Sequence, residues 1–124
     1  MTQVFDSKTI SQLATEEEVQ IVTRPWEKAT KDRTTIWVAV VDGKVFVRSF
    51  RGPNGRWYRT ILVHPDGELE VAGKKIRVKA VPVSERTINE RVSQAYLEKY
   101  RASPYAKDMV RPEVLPTTLR LDPA

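Results

Sequence analysis

Apolar and polar positions alternate along most of the chain in short runs separated by turn-forming residues, and a helical period replaces this alternation in few places. Asp6 or Ser7 can cap a short helix that carries Ile10, Leu13 and Ala14 on one face. Val19–Thr23 (VQIVT) is short and β-branched and predicts a first strand. Residues 24–32, with Pro25 and mixed charge, predict a surface loop or wide turn. Thr34–Val41 (TTIWVAVV) is the most apolar run and predicts one strand buried on both faces. Asp42-Gly43 is a preferred two-residue hairpin turn, so Lys44–Phe50 should return antiparallel to that strand. On the return strand Val45, Val47 and Ser49 share one face, and Phe46, Arg48 and Phe50 share the other.

Gly52-Pro53-Asn54-Gly55 then interrupts the sheet. Arg56–Val63 (RWYRTILV) places Trp57, Ile61 and Leu62 together if it is a short helix on the barrel mouth, with Asn54 a candidate cap; a further strand is the alternative. A turn is expected at Pro65-Asp66-Gly67, a strand at Glu68–Val71 and a tight connection at Ala72-Gly73-Lys74. In the next strand, Lys75–Val83, the residues Ile76, Val78, Ala80 and Pro82 face inward, while Lys75, Arg77 and Lys79 face outward. Ser84 or Thr87 caps the one long helix, which runs to about Arg101 and carries a stripe of Ile88, Val92, Ala95, Tyr96 and Tyr100. Pro104, Pro112 and Pro116 keep Tyr105–Pro116 irregular, and Thr117–Leu121 reads as a closing strand.

Six mostly antiparallel strands with tight turns predict a mainly β fold with helices. A small β-barrel fits better than a parallel sheet, whose crossovers need a dozen or more residues. No repeat or compositional break divides the 124 residues, so a single domain is expected over 1–124.

Composition narrows the chemistry more than it narrows the fold. Cysteine is absent and His64 is the sole histidine, which excludes thiol catalysis and disulfides and leaves a zinc or iron site only carboxylates to add; no metal is expected. No run approaches the ~20 apolar residues of a membrane span, and the start resembles no signal peptide, so a soluble cytoplasmic protein without a membrane partner is expected. The net charge of +5 raises anion binding as a possibility, beside the plain reading of a modestly basic solvated surface.

His64 lies in a turn-like Val-His-Pro-Asp-Gly with no marked orienting partner, and Glu16–Glu18 reads as a solvated approach to a strand. No glycine-rich phosphate loop is present, so any nucleotide phosphate must be held by arginines and hydroxyls. VFVRSF is a weak match to an RNA-binding aromatic strand, because Arg48 separates Phe46 from Phe50; nucleic acid is a minor alternative. The strongest constellation is Val45–Arg59 (VFVRSFRGPNGRWYR) together with the Arg33-Thr34-Thr35 approach to Trp37. Its candidate residues are Arg33, Thr34, Thr35, Trp37, Arg48, Ser49, Arg51, Arg56, Trp57, Tyr58 and Arg59. Guanidinium forks match phosphate oxygens, and indoles can cover a flat ring. The competing reading makes Trp37 and Trp57 core and the arginines rim.

Arg33-Thr-Thr-Ile-Trp, Val47-Arg-Ser-Phe-Arg-Gly-Pro-Asn-Gly-Arg-Trp-Tyr, Ser103-Pro-Tyr and Thr117-Thr-Leu-Arg-Leu together resemble, nearly end to end, a family of small bacterial proteins known as a domain of unknown function. More distantly, the order of these segments is similar to the deazaflavin-dependent nitroreductase group of the FMN-binding split-barrel superfamily. That resemblance implies a six-stranded split barrel and a homodimer with cofactor sites at the subunit interface. It also implies an FMN or deazaflavin coenzyme with oxidoreductase activity. Arg33, Thr34 and Thr35 match the group's Arg-Thr-Thr stretch, Ser49 its strand hydroxyl, and Trp57-Tyr58 its Trp-Tyr pair. Two segments depart from it. Residues 24–32 replace a Gly-Arg-Lys-Ser-Gly-type loop, and Arg59-Thr60-Ile61-Leu62 replaces an Asn-Leu pair and its polar neighbours. A cofactor-free small-molecule or anion-binding module on the same barrel is the alternative.

Overall fold

The computed structural model describes residues 4–24 and 32–124. Helix α1 (Ser7–Thr15) is capped by Asp6, whose carboxylate accepts from the Thr9 amide at 2.7 Å. It leads into β1 (Val19–Thr23). Then follow β2 (Asp32–Ile36), β3 (Val38–Val41), β4 (Lys44–Val47), helix α2 (Arg56–Val63), β5 (Asp66–Val71) and β6 (Lys74–Pro82). Helix α3 (Arg86–Lys99) and β7 (Leu119–Pro123) complete the chain, with short 3-10 turns at Gly52–Asn54, Ala106–Val110 and Leu115–Thr117. Most of the loop expected over 24–32 lies outside the described residues.

The strands form one antiparallel sheet in the order β2-β1-β5-β6-β7-β4-β3. Seven strands stand where six were expected. The apolar run Thr34–Val41 is not one strand: it breaks at Trp37 into β2, which pairs with β1, and β3, which pairs with β4. These two are the opposite edges of the sheet, yet one residue separates them. Laid flat, six spacings of ~4.8 Å would hold the edges ~29 Å apart. Their connection therefore forces the sheet to curl into a half-barrel, with Trp37 at the corner.

The expectation that both faces of this run are buried holds for Val38 and Ala39 at the start of β3, whereas Val40 and Val41 are half-buried and β2 has one exposed face. Arg33 and Thr35 on β2 are exposed, while Thr34 and Ile36 turn toward the interior opposite Ile21 and Val19. Ile36, Val38 and Ala39 are buried within the single chain. Other boundaries shift modestly. β4 ends at Val47 rather than Phe50, Asp66 and Gly67 belong to β5 rather than to a turn, and Leu115–Thr117 is a 3-10 turn before β7. Pro82 ends β6 exposed rather than inward, and Leu62 lies 46% exposed on α2 while Trp57 and Ile61 are buried.

Two apolar clusters hold the molecule together. The barrel interior packs Leu13, Val19, Ile21, Val45, Val47, Trp57, Ile61, Leu69, Val78 and Leu121, among others. The second joins the outer face of the β3–β4 hairpin, through Ala39 and Phe46, to Val92, Tyr96 and Tyr100 of α3. The α3 stripe read from the sequence thus packs on the sheet, and Phe46 faces opposite to Val45 and Val47 as the alternation requires. Much of the charge lies in register across strands: Asp66 faces Lys79, Glu68 faces Arg77 and Glu70 faces Lys75. Among the described residues no helix is long and apolar enough to cross a membrane.

Candidate functional site

Beyond Val47 the chain leaves the sheet and folds over the barrel mouth. The Ser49 amide donates to Thr117 Oγ1 at 2.9 Å, and the Ser49 carbonyl accepts from the Gly52 amide at 2.9 Å. Gly52 has φ +68, and a Cβ there would also lie 3.1 Å from the Glu113 carbonyl, so both backbone and space require glycine. Gly55 has an ordinary φ of −60 and is glycine for a different reason. A Cβ on it would fall 2.2 Å from Ser49 Oγ. The turn thereby presses α2 against the end of the β4 segment.

The space enclosed is a cavity of about 630 Å3 between this turn, the Trp37 corner, the start of α2 and the segment after α3. Thr34, Thr35, Trp37, Arg48, Ser49, Arg51, Arg56 and Trp57 all line it, which brings together eight of the eleven residues singled out in the sequence. Arg33, Tyr58 and Arg59 do not. Arg33 makes a two-pronged contact with Glu70, 2.9 Å in each arm, on the outer face of the sheet. Tyr58 is half-buried edge-on to Trp57, at 6.2 Å and 87°, and burial raises its pKa. Arg59 is exposed on α2.

The polar groups at the cavity fall into two kinds. Ser49 is buried, and its hydroxyl has no hydrogen-bond partner among the described residues. Helix α2 starts at Gly55 without a side-chain cap, so its first-turn amides lack a capping oxygen. Arg51 is exposed with no ion pair among the described residues, and Arg56, itself largely solvated, approaches the partly exposed Asp32 at 3.6 Å. These donors are open to a ligand. Arg48 is the opposite case: it is 1% exposed, and each of its N–H groups already meets an acceptor inside the protein.

The sequence reading missed Glu18, Ile36, Phe50, Gly55, Tyr105 and Met109 as lining residues. Phe50 and Tyr105 are 46% and 59% exposed at the rim. Arg111 donates to the Phe50 carbonyl at 2.6 Å and lies 5.3 Å from its ring centroid, fixing that side of the mouth. The Ser103-Pro104-Tyr105 stop after the long helix was the available signal for Tyr105; nothing in the local pattern marks Met109. Among the described residues no group of three or more acidic, histidine or cysteine side chains could hold a metal ion.

Over residues 9–121 the sequence matches the family described as an uncharacterized protein conserved in bacteria, DUF2255. The chain belongs to this family. A search of the curated proteins finds no match. Among solved structures, the chain is similar to an F420-H2 dependent reductase, FDR-A, with TM-score 0.63 and 16% identity, covering 98% of this chain and 100% of that one. It is similar to a putative pyridoxamine 5'-phosphate oxidase from Listeria innocua, with TM-score 0.61 and 11% identity, covering 94% and 90%. A third similar chain, solved as a domain-swapped dimer, has TM-score 0.65 and 14% identity, covering 94% and 93%. At such identities the likeness establishes a shared fold, the curled antiparallel sheet of the split-barrel kind.

Proposed function

We propose that this member of the DUF2255 family binds a flavin or deazaflavin coenzyme in the cavity and serves as an oxidoreductase. The observation that carries the reading is the buried Ser49 hydroxyl, which has no partner and lines a cavity between an uncapped helix start and two indole-bearing residues. The residues fit such a group. Arg51, Arg56, the first-turn amides of α2 and Ser49 would hold a phosphate or similar anion, with Thr34 and Thr35 adding hydroxyls. Trp37 and Trp57 would border the ring. A volume of about 630 Å3 lies in the usual range for small-molecule and cofactor sites.

Bound there, the coenzyme supplies the hydride chemistry, and no side chain of this protein needs to act as acid or base. The chain's own contribution is to orient the ring against Trp37 and Trp57 and to anchor its charged end. Arg33, Tyr58 and Arg59 stand outside this contact set, Tyr58 serving to steady Trp57. The shared fold with a reductase named for F420-H2 and with a putative pyridoxamine 5'-phosphate oxidase supports the coenzyme class. Similarity to a chain solved as a dimer supports a homodimer.

Titration of the purified protein with FMN and with reduced deazaflavin, followed by absorbance and fluorescence, tests the proposal. Saturable binding that weakens in Arg51→Ala/Arg56→Ala supports it. No spectral change up to high micromolar coenzyme overturns it. Light scattering that finds a monomer at micromolar concentration overturns the homodimer.

A further inference from the structure

Arg48 is the largest fully buried side chain among the described residues, and every acceptor it reaches is neutral. Its Nε donates to Thr118 Oγ1 at 2.9 Å, and Nη1 donates to Ser93 Oγ at 2.9 Å and the Met109 carbonyl at 3.0 Å. Nη2 donates to the Asn89 carbonyl at 2.9 Å and to Asn89 Oδ1 at 3.2 Å. The Tyr96 ring, with its centroid 5.7 Å away, completes the surroundings. Burial draws the pKa below that of ordinary arginine, but a guanidinium keeps its proton in proteins. A full positive charge is therefore desolvated here with no carboxylate among its partners. Such charges are normally paired.

Arg48 lines the cavity, and so does Met109, whose carbonyl the guanidinium touches. The buried charge thus sits within one residue of the cavity wall. The other charged residues that line the cavity are Glu18, Arg51 and Arg56, all exposed. Their fields are weakened by water and salt, whereas that of a buried charge is weakened much less.

We infer that the occupant supplies the missing counter-charge: the cavity selects a planar aromatic ligand that is itself anionic near its inner wall, and Arg48 sets this preference by its field rather than by contact. The inference rests on the cavity being a ligand site, and goes beyond the coenzyme reading by naming the charge of the ring-bearing part. Arg48 is then a specificity-determining residue, distinct from Arg51 and Arg56 at the mouth. Its five satisfied donors also explain why it can do this without moving. The hydrogen bonds fix the guanidinium whether or not a ligand is present.

The test uses two fluorescent probes with the same ring system: 8-anilinonaphthalene-1-sulfonate, an anion, and N-phenyl-1-naphthylamine, which is uncharged. Affinities are measured in the whole protein at physiological salt and at about 1 M salt, where the Debye length is about 3 Å. The expected result is a preference of at least about tenfold for the anion that persists in high salt. Arg51→Ala/Arg56→Ala should lower anion affinity at low salt only. At high salt, where Arg51 and Arg56 are screened, Arg48→Met should bring the preference close to one and leave the neutral probe unaffected. If Arg48→Met does not fold, as judged by circular dichroism, the salt series on the unaltered protein decides.

Loss of the preference at high salt overturns the inference, as does its survival at high salt in folded Arg48→Met, or the failure of both probes to bind. A parallel FMN titration separates this from the coenzyme reading. A salt-resistant anion preference without FMN binding leaves the inference standing and removes the coenzyme.

Discussion

The indole of Trp37 lies flat on the phenol of Tyr100, with ring centroids 4.0 Å apart and planes 4° from parallel. This contact ties the corner of the curled sheet to the end of α3. The same helix reaches the corner twice more: Tyr96 donates to the Trp37 carbonyl at 2.9 Å, and Lys99 donates to the Val38 carbonyl at 2.9 Å. Tyr100 further donates to the Glu17 carbonyl at 2.6 Å and accepts from the Val38 amide at 3.3 Å. Trp37 also lines the cavity, so α3 fixes one wall of the site from behind.

Two substitutions at Tyr100 should separate ring from hydroxyl. Tyr100→Phe keeps the stack and removes the hydroxyl's hydrogen bonds to Glu17 and Val38, which should cost about 1–3 kcal/mol. Tyr100→Ala also removes the ring and should cost about 3–5 kcal/mol. Urea denaturation followed by tryptophan fluorescence gives both values. Ligand affinity should fall in Tyr100→Ala and hold in Tyr100→Phe; equal losses would show that the hydroxyl, not the ring, places Trp37.

Stability should depend on pH in the alkaline range through Lys99. Desolvation lowers its pKa to about 8 in the folded protein from a normal value of 10.5. Between these values the unfolded chain holds a proton that the folded one has lost, so stability rises with pH across that window. The penalty is fully present below about pH 8 and relieved above it. Tyr96 and Tyr100 act in the opposite sense. Burial raises both, so above about pH 10 the unfolded chain loses phenolic protons first and stability falls. Chemical denaturation from pH 7 to 11 should therefore show a maximum between these effects, and Lys99→Met should abolish the rise while keeping the fall.

Elements with a clean period and a barrel-like curl were legible from the sequence, but the corner at which the sheet turns was not. Asp42-Gly43 turned where its chemistry required, Asp6 capped α1, and Ile88, Val92, Tyr96 and Tyr100 packed as a stripe. The break at Trp37 carries no glycine, proline or polar residue. It is imposed by long-range pairing, β1 taking the first half of the run and β4 the second, with Tyr96 and Tyr100 arriving from sixty residues away. For the site, most of the Val45–Arg59 cluster of arginines and aromatics is contiguous, and eight of the candidates line one cavity. The division of labour within it was hidden. Arg48 and Arg51 look equivalent in sequence, but strand alternation carries Arg48 under α3, while Arg51 follows the strand and stays in solvent.

That division gives Arg48→Lys a specific outcome. An ammonium has three donors for the five hydrogen bonds now made, so at least two buried acceptors lose their partner. The cost should be about 2–5 kcal/mol, read as a shift in denaturation midpoint without a change in slope. Arg51→Lys, in solvent, should stay within about 0.5 kcal/mol. Comparable losses at the two positions would contradict the placement of Arg48 as the buried member of the pair.

Gly55 and Ser49 should show strong coupling because they compete for one space. Gly55→Ala places a methyl group 2.2 Å from Ser49 Oγ, and the hydroxyl can escape only by rotating within a buried site. A cost of about 1–3 kcal/mol is expected. Ser49→Ala removes a buried hydroxyl that has no partner among the described residues, so it should be neutral or slightly stabilising. It also removes the atom that the Gly55→Ala methyl meets, leaving the Ser49 Cβ and the Gly52 carbonyl at 3.4 Å. The double variant should therefore recover most of the loss, with a coupling energy of about 1–2 kcal/mol in a thermal denaturation cycle. If Ser49 is a ligand contact, Ser49→Ala will lower FMN affinity while leaving or raising Tm. A hydroxyl kept for function and not for stability has that combined signature, and a fall in Tm with unchanged affinity would assign Ser49 to the fold instead.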